Sequence, residues 1–222
     1  MSFSLLRVTA LTIAISTGLL VPGLVRGEEK SDAMKTAISH LDAAVEELLA
    51  DPNLAMVIAG LKEKYSRSPL LLAIRIQRVD IVAELLAAGA RVKEPLEDET
   101  PLTAAVINCG GEMVSLLLDK GADPNQVTGP DDFPALFHSV LMKTTALTRL
   151  LVSRGADVKH AGPNGRTPLH VVASMTDDEE TARFLLEKGA VLGAKDKDGK
   201  TAFDLAVAAK HDKVAKVLQP PK

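Results

Sequence analysis

Five histidines have the widest chemical range of any side chains in this sequence, because imidazole can bind a metal ion or exchange a proton near neutral pH. They are His40, His138, His160, His170 and His211. No two of them have the His-x-x-x-His spacing of a zinc site, and Cys109 is the only cysteine, so no Cys-x-x-Cys pair exists. The sequence therefore predicts no metal site and no cofactor.

His170 is the fourth residue of Thr-Pro-Leu-His at 167–170, a stretch that recurs in altered form elsewhere in the chain. One interpretation is a general base. The other is a hydrogen bond within its own helix-turn unit, which the recurring pattern favours. We predict the structural role.

Carboxylates cluster at 131–132, in a predicted turn, and at 177–180, at a predicted helix start. Acids at a helix start offset the positive end of the helix dipole, so neither cluster requires a catalytic explanation. The chain also lacks a Gly-rich phosphate loop and a Gly-x-Ser-x-Gly sequence. We predict that the protein is not an enzyme.

The segment 163–190 contains a complete small unit. Asn164-Gly165 favours a tight turn, Thr167 can cap a helix, and Pro168 fits the first helical position. A second helix follows and ends at Gly189, which can adopt the left-handed conformation. Two short helices and a turn cannot bury an apolar face alone, so the unit needs neighbours.

Gly-Ala pairs repeat the end of this unit. They begin at Gly89, Gly121, Gly155 and Gly189, at spacings of 32, 34 and 34 residues. A period near 33 indicates a stacked repeat array. A last half-pattern at 201–219 has both helices but lacks the closing Gly-Ala.

These segments resemble the ankyrin repeat family in Thr-Pro-Leu-His at 167–170, Thr-Pro-Leu at 100–102, Ser-Pro-Leu at 68–70 and the Leu-Leu-x-x-Gly-Ala endings. The resemblance implies an all-α dominated repeat solenoid, an ankyrin-like stack of helix-turn-helix units with short β-hairpin or turn fingers. The family usually places glycine at the end of each first helix. The corresponding residues here are Gln77, Cys109, Lys143 and Lys210, and we expect Gly110 and Gly111 to take over the turn after Cys109.

The predicted domain organisation has three parts. Residues 1–27 are a signal peptide, and 28–67 are either an N-terminal helical cap or a degenerate repeat. Residues 68–219 are the repeat domain, with repeats at about 68–99, 100–133, 134–166 and 167–200 and a C-terminal capping repeat at 201–219.

The first residues suggest export. Arg7 precedes an uncharged apolar run, and Val25 and Gly27 are small enough to flank a signal peptidase cut after Gly27. We expect an exported protein, periplasmic or secreted, of a bacterial envelope. The alternative is a membrane anchor formed by residues 8–25.

Composition argues against nucleic acid as a partner. The formal net charge is -3 and aromatic residues are only 3%, so the chain offers neither a basic patch nor stacking platforms for nucleic acid. A single cysteine permits no internal disulfide. We expect a monomer with no membrane contact after signal cleavage.

The resemblance implies that another protein binds to a concave face of first helices and hairpin tips. Ile74 and Leu141 are expected on this face. The other residues expected there are Arg75, Glu97, Asp98, Ile107, Asn108, Asp131, Asp132, Met142, Asn164, Arg166, Ser174, Met175 and Lys197. The function expected from the resemblance is a non-catalytic interaction module that protects or positions an envelope enzyme. The alternative is an inhibitor or immunity-type protein that blocks an enzyme or toxin.

Overall fold

The structure, a computed structural model, describes residues 32–96, 99–128, 133–162 and 164–220. Those residues form helices and turns without an extended strand. The helices are α1 (Asp32–Leu49), α2 (Ala55–Lys64), α3 (Pro69–Arg75), α4 (Val79–Ala87), α5 (Pro101–Asn108), α6 (Gly111–Asp119), α7 (Ala135–Leu141), α8 (Thr145–Ser153), α9 (Pro168–Met175), α10 (Glu179–Glu187), α11 (Ala202–Ala209) and α12 (Asp212–Leu218). The chain divides into two compact units between Val92 and Lys93, and each is described separately below.

In the N-terminal unit, the long helix α1 packs against α2, α3 and α4. Its buried residues recur at three- and four-residue intervals, as an apolar helical stripe requires: Met34, Ala37, Ile38, Leu41, Ala44 and Val45. The pair α1 and α2 therefore covers the helix pair α3 and α4.

An ion pair between a buried lysine and a half-exposed glutamate also connects α1 to α2. The Lys62 side chain is 7% exposed, and its Nζ donates a hydrogen bond to Glu46 Oε1 at 3.0 Å. Burial raises the pKa of the neighbouring Asp42 carboxyl, although the Lys62 ammonium acts in the opposite direction. A lysine buried this deeply needs such a partner, because an unpaired buried charge is strongly destabilising.

The C-terminal unit consists of four helix pairs arranged in two rows. The first helices α5, α7, α9 and α11 contact one another in that order, and so do the second helices α6, α8, α10 and α12. One leucine of each second helix is fully buried: Leu117, Leu151, Leu185 and Leu218. Each middle pair of helices thus buries its apolar side chains against neighbours on both sides.

Only the first residue of each Leu-Leu or Leu-Val ending is fully buried against the neighbouring helices. Leu118, Val152 and Leu186 are only half-buried. Adjacent residues on an α-helix point about 100° apart, so one position faces the core and the next turns towards the edge.

Helix ends follow the glycine pattern. Gly189 has φ +92°, and the next amide, that of Ala190, donates to Leu185 O at 2.9 Å. The first helices end differently, since Gln77, Lys143 and Lys210 adopt left-handed φ values of 58°, 55° and 59° without being glycine. The prediction for Gly110 is confirmed, because it has φ +119° directly after Cys109.

No helix in the described ranges is both long enough and apolar enough to cross a bilayer. The apolar run at 8–25, with the predicted signal cleavage at Gly27, lies outside the described residues.

Replacing Lys143 with glycine should stabilise the protein, because a side chain in the left-handed region crowds the backbone. We expect Lys143→Gly to raise the free energy of unfolding by about 0.5 to 1 kcal/mol in urea denaturation. Lys120→Gly is the matched control, since Lys120 is also an exposed lysine at a helix end but has φ -88°. That control should lose stability, and a gain of equal size in both variants would contradict the explanation.

Candidate protein-binding surface

His170 is completely buried and fully hydrogen-bonded. Its Nδ1 lies 3.2 Å from the Thr167 amide nitrogen and 2.9 Å from Thr167 Oγ1, and its Nε2 lies 3.2 Å from Lys200 O. The Nε2–H tautomer satisfies all three contacts, since Nδ1 then accepts and Nε2 donates. The imidazole therefore joins the start of α9 to the turn before α11 and has no access to a substrate.

Equivalent residues in two other repeats make the same contact with different chemistry. The Thr100 amide donates to Thr103 Oγ1 at 3.0 Å, and the Thr201 amide donates to Asp204 Oδ2 at 2.9 Å. Each acceptor stands three residues after its threonine, as His170 does after Thr167. The contact requires an acceptor and not an imidazole, which agrees with the structural interpretation of His170.

The acidic residues at 177–180 also have structural roles. Asp177 Oδ1 accepts from the Val214 amide at 3.1 Å, and Asp178 Oδ1 caps α10 by accepting from the Thr181 amide at 3.1 Å. Glu180 pairs with Arg149 on the neighbouring helix α8. No group of three or more potential metal ligands occurs in the part of the chain that the structure describes. Asp131 and Asp132 lie outside that part.

Large apolar side chains are exposed at the ends of two adjacent first helices. Leu141 and Met142, at the end of α7, are 41% and 53% exposed, and Met175, at the end of α9, is 60% exposed. Helices α7 and α9 are in contact, and Met142 and Met175 stand at equivalent positions of their repeats. We call Leu141, Met142 and Met175 the first-helix patch.

Other predicted residues border this patch but are less exposed. Ile107, Asn108 and Ser174 are half-buried. The Asn108 side chain turns back onto its own helix, where Nδ2 donates to Ala104 O at 2.7 Å. A polar side chain held in this way presents less surface to a partner than the sequence suggested.

The predicted fingers are turns joined by isolated bridges. One bridge connects Leu96 with Glu99 and another connects Lys195 with Thr201. The residues between Leu96 and Glu99, which are Glu97 and Asp98, lie outside the described ranges. The structure therefore does not place the acidic tips that were expected at 97–98 and 131–132.

The last two fingers are connected to each other. Asn164 is exposed, and its carbonyl accepts a hydrogen bond from the Lys197 amide at 3.0 Å. Gly165 permits this approach, because it has φ +69° and a Cβ there would lie 3.2 Å from Lys197 N. Lys197 itself is exposed, whereas Arg166 is half-buried.

Asp196 organises the turn that carries Lys197. Its Oδ1 accepts from the amides of Lys200 at 2.9 Å and Asp198 at 3.0 Å, and Arg166 Nε lies 3.7 Å from Oδ2. These interactions, above all the Lys200 amide, lower the pKa of the Asp196 carboxyl. The Asp196 carboxylate therefore stabilises the folded state at pH values above the ordinary pKa of a carboxyl group. That contribution is lost as the pH falls through the lowered pKa of Asp196.

Two predicted residues belong to the N-terminal unit. Ile74 is completely buried, so its expected position on a binding face was wrong. It corresponds to Val106, Val140 and Ala173, which are also buried, and these four positions serve packing within their units. Arg75 is half-buried, with its guanidinium carbon 5.5 Å from the centre of the Tyr65 ring.

His138 is a residue beside the patch that the sequence did not single out for binding. It is half-buried on α7, and burial lowers the pKa of its imidazole, although Glu99 acts in the opposite direction.

Replacing His170 tests whether the imidazole is structural. We expect His170→Ala to lower the free energy of unfolding by about 2 to 4 kcal/mol, because it leaves a cavity and unpaired polar groups. His170→Thr should lose less, since a threonine makes the equivalent contact at Thr103. Thermal or urea unfolding of both variants measures this, and an alanine variant as stable as wild type would overturn the assignment.

Comparisons with known proteins agree with the repeat architecture. A family model described as ankyrin repeats in three copies matches residues 33–128 and 136–221. The chain is 32% identical over 177 residues to mitochondrial disaggregase of Bos taurus, a match that covers 74% of this chain and 25% of that protein.

Two further relatives are shorter matches. An ankyrin repeat-containing protein of Treponema pallidum is 31% identical over 125 residues, which are 56% of this chain and 42% of that protein. Ankyrin repeat and SOCS box protein 6 of Homo sapiens is 35% identical over 127 residues, 54% of this chain and 30% of that one. The chain spans less than half the length of each of these relatives. Ankyrin repeats are in general non-enzymatic modules that bind other proteins, and this chain belongs to the ankyrin repeat family.

Proposed function

We propose that this protein is a non-catalytic accessory that holds a partner protein against the first-helix patch of its C-terminal unit. The observation that carries the proposal is the exposure of Leu141, Met142 and Met175 at the ends of two contacting helices. Clusters of exposed apolar side chains on a folded protein commonly mark a site where another molecule binds.

Packing within the C-terminal unit does not explain why these three side chains are apolar. Helices α7 and α9 already bury most of their residues, including Leu136, Phe137, Leu169 and Val172. Leu141, Met142 and Met175 each leave 41% to 60% of their surface in water. A partner that covered them would gain the free energy of removing apolar surface from water.

The chemistry of the patch suits an apolar anchor on the partner. Methionine is flexible and polarisable, so it adapts to side chains of different shape. The finger residues Asn164, Arg166 and Lys197 supply polar and positively charged groups elsewhere in the same unit. Protein interfaces typically combine apolar and polar contacts.

We further propose that the protein works outside the cytoplasm, in the periplasm or as a secreted protein of a bacterial envelope. The support is the apolar run at 8–20, followed by Val25 and Gly27 at positions that suit a signal peptidase. The N-terminal sequence of the protein recovered from cells tests this directly. A start at Glu28 is expected, whereas retention of residues 8–25 would favour the membrane-anchored alternative.

The accessory role competes with an inhibitor or immunity-type role, in which the partner is an enzyme or toxin that the protein blocks. The connection between the last two fingers through Asn164 and Lys197 supports this second candidate, because a preorganised surface binds tightly at low entropic cost. An inhibitor should form a tight one-to-one complex that abolishes the partner's activity. An accessory should leave that activity intact.

Capture of partners from an envelope extract tests the patch. We expect the double variant Met142→Glu and Met175→Glu to recover its partner at least about tenfold less efficiently than wild type, because each new carboxylate would have to be desolvated in the complex. Recovery is measured by quantitative mass spectrometry of the captured proteins.

Val191→Glu is the matched control for this experiment. Val191 is 51% exposed, close to the values for Met142 and Met175, but it lies in the loop after α10 and not at a first-helix end. The control should bind as wild type does. Equal recovery by the wild type and the double variant would refute the patch as the binding surface.

A further inference from the structure

We propose that Met142 and Met175 are sites of reversible sulfoxidation by peroxides, and that their oxidation releases the partner. The release rests on the proposed function, because it requires the first-helix patch to be the binding surface. The modification itself rests on the exposure of the two thioethers alone.

Exposure separates the methionines in the described residues into an exposed and a buried class. Met142 and Met175 are 53% and 60% exposed, whereas Met34 and Met113 are 2% and 1% exposed and lie in the packed interior. Methionine is oxidised where a peroxide can reach its sulfur atom. The buried pair therefore provides an internal standard for the exposed pair within one molecule.

Hydrogen peroxide supplies the oxygen atom and accepts the two electrons in this step. A lone pair of the methionine sulfur attacks one peroxide oxygen, an S–O bond forms and the O–O bond breaks. The sulfur is oxidised by two electrons, and the second oxygen leaves as water after taking up the proton that the transferred oxygen loses. Methionine sulfoxide reductases reverse the change, so the site can be restored.

Oxidation would change the surface without opening the fold. Met142 terminates α7 through its backbone, since its amide donates to His138 O at 2.9 Å, while its side chain projects into water. The Met175 side chain is likewise exposed at the end of α9. A sulfoxide is polar and chiral, so two of the three apolar side chains of the first-helix patch would become polar.

Met56 supplies a control for oxidation at an unrelated position. It is 86% exposed on α2 of the N-terminal unit and should react with peroxide as well. Its oxidation should not affect a partner bound at α7 and α9. Met56→Leu and the double variant Met142→Leu and Met175→Leu therefore remove one class of exposed thioether each and preserve apolar surface.

The first measurement is the rate of oxidation at each methionine in dilute hydrogen peroxide, followed by peptide mass spectrometry of the purified protein. We expect Met142 and Met175 to oxidise at least about tenfold faster than Met34 and Met113. Rates equal to those of the buried pair would overturn the assignment. Circular dichroism recorded in parallel should show unchanged helix content.

The second measurement uses retention on a phenyl matrix and recovery of the partner, before and after oxidation. Oxidised wild type and oxidised Met56→Leu should elute earlier than their reduced forms and recover at least about tenfold less partner. The oxidised Met142→Leu and Met175→Leu double variant should recover as much partner as its reduced form. All of these proteins contain Cys109, so any thiol oxidation is common to them.

The outcomes distinguish the two proposals. If the reduced wild type captures a partner and the fully oxidised protein captures it equally well, the release mechanism is wrong and the proposed function stands. If the reduced wild type and the Met142→Glu and Met175→Glu variant recover the same proteins, the proposed function fails, and the release mechanism fails with it. The oxidation rates continue to decide the modification sites in either case.

Discussion

The fold of the C-terminal unit depends on apolar burial between neighbouring helix pairs. A pair such as α7 and α8 is too small to enclose its own apolar residues, and it contacts α5 and α6 on one side and α9 and α10 on the other. Leu136, Phe137 and Leu151 are completely buried as a result. Because neighbours supply the core, each repeat is free to vary in residues that face water.

A hydrogen bond at the helix start explains the structural role of a histidine at a suggestive position. Three of the four first helices in this unit, α5, α9 and α11, begin at a sharp backbone turn that an acceptor three residues later fixes. Helix α7 begins after Pro134, which has no amide hydrogen to donate. Threonine, histidine and aspartate fill this role at Thr103, His170 and Asp204. His170 differs in one respect, since its second nitrogen also contacts Lys200 O and so joins two repeats.

Much of the fold could be predicted from the sequence, because it is encoded locally and repeatedly. The Gly-Ala period located the ends of the second helices, and the displaced glycine at Gly110 was visible from the replacement of the usual glycine by Cys109. Burial of adjacent residues was harder to predict. Leu85 and Leu86 look alike in the sequence, but only Leu85 is fully buried, since helix rotation decides which side chain faces the core.

Side-chain exposure on the proposed binding surface was less predictable than the fold. Ile74 was expected on a binding face but is buried, and the Asn108 side chain bonds to its own helix. Met142 and Met175 are exposed, because they stand at helix ends, two residues after the last buried residues Val140 and Ala173. Side-chain exposure at helix ends depends on tertiary packing, which a repeat pattern determines only approximately.

The central claim is that the ends of α7 and α9 form the surface that a partner protein covers. Amide hydrogen exchange of the complex, compared with the free protein, tests this claim most directly. Slower exchange in the complex at 138–143 and 172–177, with little change along the second helix α8, is the predicted result. Protection confined to α8 and α10, with exchange at 138–143 and 172–177 unaltered, would contradict the account.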